Sequence, residues 1–249
     1  MRDLEFKIVS NQRIARDVYQ MELSGDASGI RRPGQFVNLK LGGLFLRRPI
    51  SICDRGEGSL RLIYKAVGEG TEQLSSMREG EALSLLIPLG NGFDTSLAGT
   101  RPLLAGGGVG VPPLYLLAKT LLEEARELGI ERTITVLLGF QSKEDVFYLE
   151  EFKALGCELR VTTLDGSAGT RGLVTDVLEE IDYSYVYACG PEAMLKALCE
   201  KTQTSGQYSF EARMACGFGA CMGCTKRTKS SYKRICKEGP VFLKEELLW

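Results

Sequence analysis

The sequence predicts a multidomain chain of α/β and β class: an antiparallel barrel, then a parallel α/β unit, then a small cysteine-bearing tail. Three observations carry this expectation. Short runs of alternating polar and apolar residues recur through roughly the first hundred positions, with turn residues between them. From about Thr100 onward, apolar strand-like runs alternate with helical periods, the pattern of a parallel sheet with both faces covered. Near the C-terminus, four of the eight cysteines crowd into one short stretch.

The barrel strands are expected at 5–9, 18–23, 35–40, 60–64 and 82–87. Turns fall at Pro33-Gly34, Gly42-Gly43, Gly56 to Gly58 and Arg78 to Gly80. Closely spaced short strands of this kind suit a small closed barrel. In the second unit, 101–105, 133–138, 158–162 and 184–188 read as buried strands. Helices are expected at 112–128, closed by Gly129, and at 143–155, 174–181 and 191–202. Residues 203–207 read as a linker into the tail. The expected boundaries are 1–98, 99–205 and 206–249.

Two loops at strand ends suit phosphate. Gly106-Gly107-Gly108-Val109-Gly110 lies between a strand and a helix that begins with Pro112-Pro113. Small residues let backbone approach a pyrophosphate, and the helix N-terminus favours its charge. Cys189-Gly190-Pro191 ends another strand ahead of a helix, where open α/β sheets bind ligands. In the barrel half, Arg48-Pro49-Ile50-Ser51 offers a guanidinium for phosphate and a hydroxyl for a ring edge or phosphate. Gly70 and Thr71 open a further helix, a second anion site nearby.

The tail carries Cys216, Cys221, Cys224 and Cys236, spaced C-x4-C-x2-C-x11-C. This spacing fits a plant-ferredoxin-type [2Fe–2S] cluster, with three ligands on one loop and the fourth from a following strand. Gly217, Gly219 and Gly223 let that loop curl and aim its amides inward. Structural zinc is the competing reading, although it usually draws its ligands from two separate knuckles. Cys53, Cys157, Cys189 and Cys199 are scattered through apolar runs and read as inert buried thiols.

Composition removes several classes of function. There is no histidine, so His-based triads and His-ligated metals are excluded. A formal charge of −1 gives no case for binding nucleic acid. No apolar run approaches a membrane span, and no signal peptide is visible, so a cytoplasmic setting is expected.

The motifs in this order resemble the ferredoxin–NADP reductase superfamily: Arg48-x-x-Ser51, then Gly106 to Gly110, then Cys189-Gly190-Pro191. The run Met214 to Cys224 narrows the likeness to the electron-transfer subunits of NAD-dependent dihydroorotate dehydrogenases. The resemblance implies a Greek-key FAD-binding barrel, a Rossmann-like NAD domain and a [2Fe–2S] domain. It implies Arg48, Pro49, Ile50, Ser51, Ile63, Tyr64, Lys65, Gly70 and Thr71 around FAD, and the four tail cysteines on iron. Gly106, Gly107, Gly108, Gly110, Cys189, Gly190 and Pro191 would serve the nucleotide. An FMN-containing catalytic subunit is the implied partner, in an α2β2 heterotetramer acting in pyrimidine biosynthesis. Dihydroorotate oxidation would lie in that partner, so no catalytic acid or base is expected here. A reductase subunit of a sulfide dehydrogenase or of a hydrogenase-linked diaphorase is the neighbouring alternative. A zinc-stabilised, non-redox interaction module is the more distant one.

Three further expectations follow. After the strand at 133–138, Gly139 to Asp145 supplies no arginine to clamp a 2′-phosphate, which favours NAD over NADP. Trp249 matches the C-terminal aromatic that covers flavin in the superfamily, but the added tail makes a packing role the expectation. The basic run Lys226 to Lys237, free of acids, suits either a solvated loop or a rim that favours a reduced cluster and steers an acidic partner.

Overall fold

The computed structural model describes residues 1–249. Six antiparallel strands close into a barrel: β1 (Arg2–Ala15), β2 (Val18–Ser24), β3 (Phe36–Lys40), β4 (Arg48–Gly56), β5 (Ser59–Lys65) and β6 (Ala82–Leu89). Their order round the barrel is β1-β2-β5-β4-β3-β6. Helix α1 (Glu69–Ser76) follows β5. The alternation seen in the sequence has the expected cause, since one face of each strand fills the interior with Phe6, Met21, Leu39, Leu60, Leu62 and Leu85. The Arg48-to-Ser51 motif opens β4, so Ser51 pairs with Phe36 of β3 and Pro49 with Asn38.

The second unit builds a sheet from β7 (Pro102–Gly107), β8 (Thr135–Phe140), β9 (Glu158–Thr163), β10 (Thr170–Arg171), β11 (Tyr185–Cys189) and β12 (Gly206–Ser209). These strands run parallel in the order β10-β9-β8-β7-β11-β12. Helix α2 (Pro112–Leu128) takes the expected bounds and ends on Gly129 in the left-handed region. The other helices are α3 (Leu149–Ala154) and α4 (Glu192–Lys201). In the tail, β13 (Thr225–Arg227) and β14 (Tyr232–Arg234) form a hairpin, and β15 (Val241–Leu243) pairs antiparallel with β12.

Three expected elements differ. The helix expected at 143–155 is a single turn at Lys143–Asp145 followed by the short α3. Tyr148 is left-handed (φ 67°), and the carboxylate of Asp145 is drawn across to Arg16, so the helical path breaks between them. The helix expected at 174–181 is two 3₁₀ turns interrupted at Val177, which buries Val174, Val177 and Leu178 against the sheet. The linker expected at 203–207 runs into β12, where the Gln207 amide donates to the carbonyl of Asp94. Through β12 and β15 the residues beyond 206 share the sheet of the preceding unit.

Barrel and sheet share one apolar cluster, in which Val18, Cys53 and Ile63 of the barrel pack with Leu104, Leu117 and Tyr187. Polar bridges flank it. Arg16 holds Asp145 through two side-chain hydrogen bonds, Arg61 and Gln20 meet the Tyr148 hydroxyl, and Lys119 reaches Asp54 at 3.0 Å.

Candidate functional site

Two cavities meet at the seam between barrel and sheet. The first, of about 300 Å³, is walled by Phe36, Pro49, Ile50, Ser51, Ile63, Tyr64, Lys65 and Thr71 of the barrel half. Its far wall is Phe210, Glu211, Ala212 and Met214, just ahead of the cysteine loop. The second, of about 380 Å³, opens past the strand C-termini of the sheet, over Gly107, Gly108, Gly139, Thr162 and Pro191. Lys65 and Val109 line both, so a ligand in one lies against a ligand in the other.

Of the residues expected at the first cavity, all but Arg48 and Gly70 line it. Those two pack on each other just outside: a Cβ on Gly70 would lie 2.3 Å from Arg48 Nε. Arg48 thereby lies against the first turn of α1, whose leading amides have no side-chain cap. The Thr71 hydroxyl accepts from Val67 N–H and donates to Gly68 O, shaping that turn. An aromatic and aliphatic slot with a serine hydroxyl on its rim and an arginine-plus-amide corner beyond can hold a flavin dinucleotide.

At the second cavity Gly107, Gly108 and Pro191 are lining residues, whereas Gly106, Gly110, Cys189 and Gly190 are not. Gly110 instead permits contact between the two loops, since a Cβ there would lie 2.3 Å from Cys189 O. Thr162 is buried in this cavity's wall and its hydroxyl has no partner. Such an orphan fits a nucleotide that supplies the missing hydrogen bond. The expectation of no arginine near 139–145 needs correcting in space. Arg16 arrives from the barrel and donates to Ser142 Oγ at 2.8 Å, but Asp145 occupies the same guanidinium.

Glu211 and Phe210 escaped the sequence reading, which had no spacing or periodicity to flag them. Glu211 faces the first cavity without an ion pair; its side chain is solvent-exposed, and the protein atoms packed round its base push its carboxyl pKa up. Its charge adds to burial in pushing up the thiol of Cys189.

The four tail cysteines are free thiols brought together as two pairs. Cys216 and Cys221 Sγ lie 3.4 Å apart, near the ~3.8 Å of two thiolates on one tetrahedral metal at about 2.3 Å. Cys236 N–H donates to Cys224 Sγ at 3.4 Å. Paired sulfurs suit two irons. Gly217 and Gly219 take positive φ, and Cβ atoms there would collide with Asn38 Nδ2 and the Lys237 stem. Burial opposes ionisation of Cys216, but the amides of Cys221, Phe218 and Ala220 outweigh it and lower its thiol to about 6. The deeper Cys236 is pushed up to about 12, chiefly by burial and then by Cys224 and Cys216. Cys53, Cys157 and Cys189 are buried and their thiols raised, while Cys199 is half-buried.

The cluster loop touches the barrel directly: buried Asn38 of β3 donates to Cys216 O, two residues along the strand from Phe36 at the flavin-type cavity. Trp249 packs against Phe210 with ring centroids 5.5 Å apart and stands outside that cavity's lining. The basic run divides. Lys226 pairs with Glu192 and lies 4.2 Å from the Phe210 ring centroid, Lys233 pairs with Glu246, and Arg234 pairs with Glu238. Arg227, Lys229 and Lys237 are exposed.

An antiparallel barrel and a nucleotide sheet meeting at joined cavities, with a four-cysteine loop beside them, define a pyridine-nucleotide-linked reductase of the ferredoxin–NADP reductase type. Residues 211–248 match the iron-sulfur cluster binding domain of dihydroorotate dehydrogenase B, and residues 104–200 the oxidoreductase NAD-binding domain. The dihydroorotate dehydrogenase B (NAD(+)) electron transfer subunit of Fusobacterium nucleatum is 44% identical, covering 96% of each chain. That of a Geobacillus species is also 44% identical, over 100% of this chain and 99% of its own. This chain belongs to that family of electron transfer subunits. Among solved structures, one described for the NADH-dependent reduced ferredoxin-NADP oxidoreductase, a flavin-based electron bifurcation enzyme, superposes with TM-score 0.85. It is 34% identical and covers 98% of this chain and 90% of its own. Phthalate dioxygenase reductase, 22% identical with TM-score 0.63, shares the fold over 80% of this chain and 64% of its own.

Proposed function

We propose that this chain carries electrons from an FMN-containing dihydroorotate dehydrogenase catalytic subunit to NAD⁺, using FAD and a [2Fe–2S] cluster of its own. The observation that carries this reading is the arrangement: a cysteine loop bonded to the barrel wall, next to one cavity, which shares Lys65 and Val109 with a second. When bound, the cluster passes electrons singly, flavin exchanges them singly or in pairs, and nicotinamide takes a hydride.

The chain's own residues then have four tasks. Phe36, Ile63, Tyr64 and Phe210 exclude water from the flavin slot. Arg48, with the open first turn of α1, answers the diphosphate charge. Gly107, Gly108 and Pro191 form the floor for the nucleotide, and Thr162 offers its unpaired hydroxyl. Glu211 stands at the mouth of the flavin slot and brings an exposed carboxyl to it.

An α2β2 complex in the cytoplasm fits this reading, since a reducing compartment keeps the four thiols available for iron. No helix is long and apolar enough to cross a membrane. The test is co-expression with the catalytic subunit of such an enzyme, followed by an assay for orotate formation coupled to NAD⁺ reduction. Coupling that depends on this chain supports the proposal, and a complex that never forms contradicts it. The 34% identity to the ferredoxin-NADP oxidoreductase structure supports a second reading, service to a different redox partner. Purification of the native partner separates the two.

A further inference from the structure

Among the side chains hydrogen-bonded to the loop Cys216–Cys224, only Arg234 is charged; Asn38 and Thr225 are the others. Its Nη1 donates to Gly219 O at 2.5 Å, from a position two residues ahead of Cys236. The remainder of its guanidinium is claimed by Glu238, to which Nε donates at 3.0 Å and Nη2 also donates. Glu238 additionally accepts from the Arg234 backbone N–H at 2.8 Å. Lys237, Glu238 and Gly239 all donate their N–H to Arg234 O. One residue thus ties the loop bearing three cysteines to the turn bearing the fourth, with one cation and one anion fixed beside them. Lys226 and Lys233 of the same run are turned to Glu192 and Glu246.

We infer that Arg234 and Glu238 act as an opposed pair that sets the reduction potential of the cluster. The inference rests on the cluster reading above. On reduction the cluster gains one electron and one unit of negative charge. A fixed cation beside it favours that state, and the carboxylate that offsets the cation opposes it. Arg234 is therefore a positioning and tuning residue, and Glu238 limits its effect.

The test is a potentiometric titration of the reduced cluster's paramagnetic signal, in anaerobic holoprotein, with iron content measured on each sample. At the wild-type midpoint, Arg234→Gln should lower the reduced-to-oxidised ratio about tenfold, which for one electron is ~59 mV. Glu238→Gln should raise that ratio by roughly threefold, the opposite direction, because it leaves the cation without its counter-charge. Arg234→Lys keeps the charge and loses the fork, and should stay within about twofold of wild type. A purely structural role predicts shifts of one sign, with Arg234→Lys as damaged as Arg234→Gln. If Arg234→Gln loses iron, the other two variants still decide. Unmoved or same-sign potentials in iron-loaded protein overturn this inference alone. Wild-type protein without iron overturns the cluster reading and the inference with it.

Discussion

The barrel and the tail are stabilised by different means. The barrel buries Phe6, Met21, Leu60, Leu62 and Leu85 almost completely, within one continuous cluster of aliphatic and aromatic side chains. The tail beyond Phe210 contributes few core residues, among them Ile235 and Phe242. Its remaining order comes from glycine-enabled turns, ion pairs and cysteine sulfurs. A region with a full core holds its shape without ligands, whereas one built on four sulfurs depends on what they hold. The nucleotide cavity and the barrel wall of the first cavity fall on the robust side of this divide, whereas that cavity's far wall, Phe210 to Met214, and the cysteine loop fall on the fragile side.

The sharpest way to break the comparison is to remove a ligand. Cys224→Ser should abolish iron binding and electron delivery from the partner while leaving NADH oxidation by a small-molecule acceptor within about twofold, because the nucleotide cavity and the barrel wall of the flavin slot are held by the apolar cores. Loss of flavin from that variant would show that the two regions are not separable. Next in size is a core truncation. Leu62→Ala should cost about 2–5 kcal/mol of global stability, read from denaturant unfolding. A cost below 1 kcal/mol would mean that the barrel is not the stabilising unit. Gly110→Ala addresses the seam, since its Cβ meets Cys189 O. It should cost roughly 1–3 kcal/mol and weaken binding of the nucleotide more than of flavin.

A smaller effect depends on ionisation. Arg16 holds the Asp145 carboxyl below its ordinary value of 3.8. The clamp between barrel and sheet therefore contributes fully above that pH and fades as pH falls through the lowered folded value. The gap in melting temperature between wild type and Asp145→Asn should shrink below about pH 4, and a gap that widened would contradict the sign. The smallest effect is expected of Arg227→Ala with Lys229→Ala, which should flatten the salt dependence of partner association and leave the fold unaltered.

Legibility in the sequence followed the same divide. Five of the six barrel strands, α2 and the four central parallel strands are periodic over enough residues to be visible, whereas β4, the two-residue β10 and β12 are not, and the cysteine spacing is a chemical signature in one line of text. The segments at 143–155 and 174–181 carry helical composition, yet a cross-domain ion pair at Asp145 and burial of Val177 redirect them. Glu211 and Phe210 line a cavity only because β12 carries the chain back to the barrel mouth, a long-range fact without a local signal. The division of the basic run has no local signal, because the acids that pair with Lys226, Lys233 and Arg234 (Glu192, Glu246 and Glu238) lie outside it.

Elemental analysis of anaerobically purified holoprotein, with flavin measured on the same sample, bears most directly on the account. It predicts two irons and one FAD per chain, with no stoichiometric zinc. One zinc per chain in a colourless protein would contradict it.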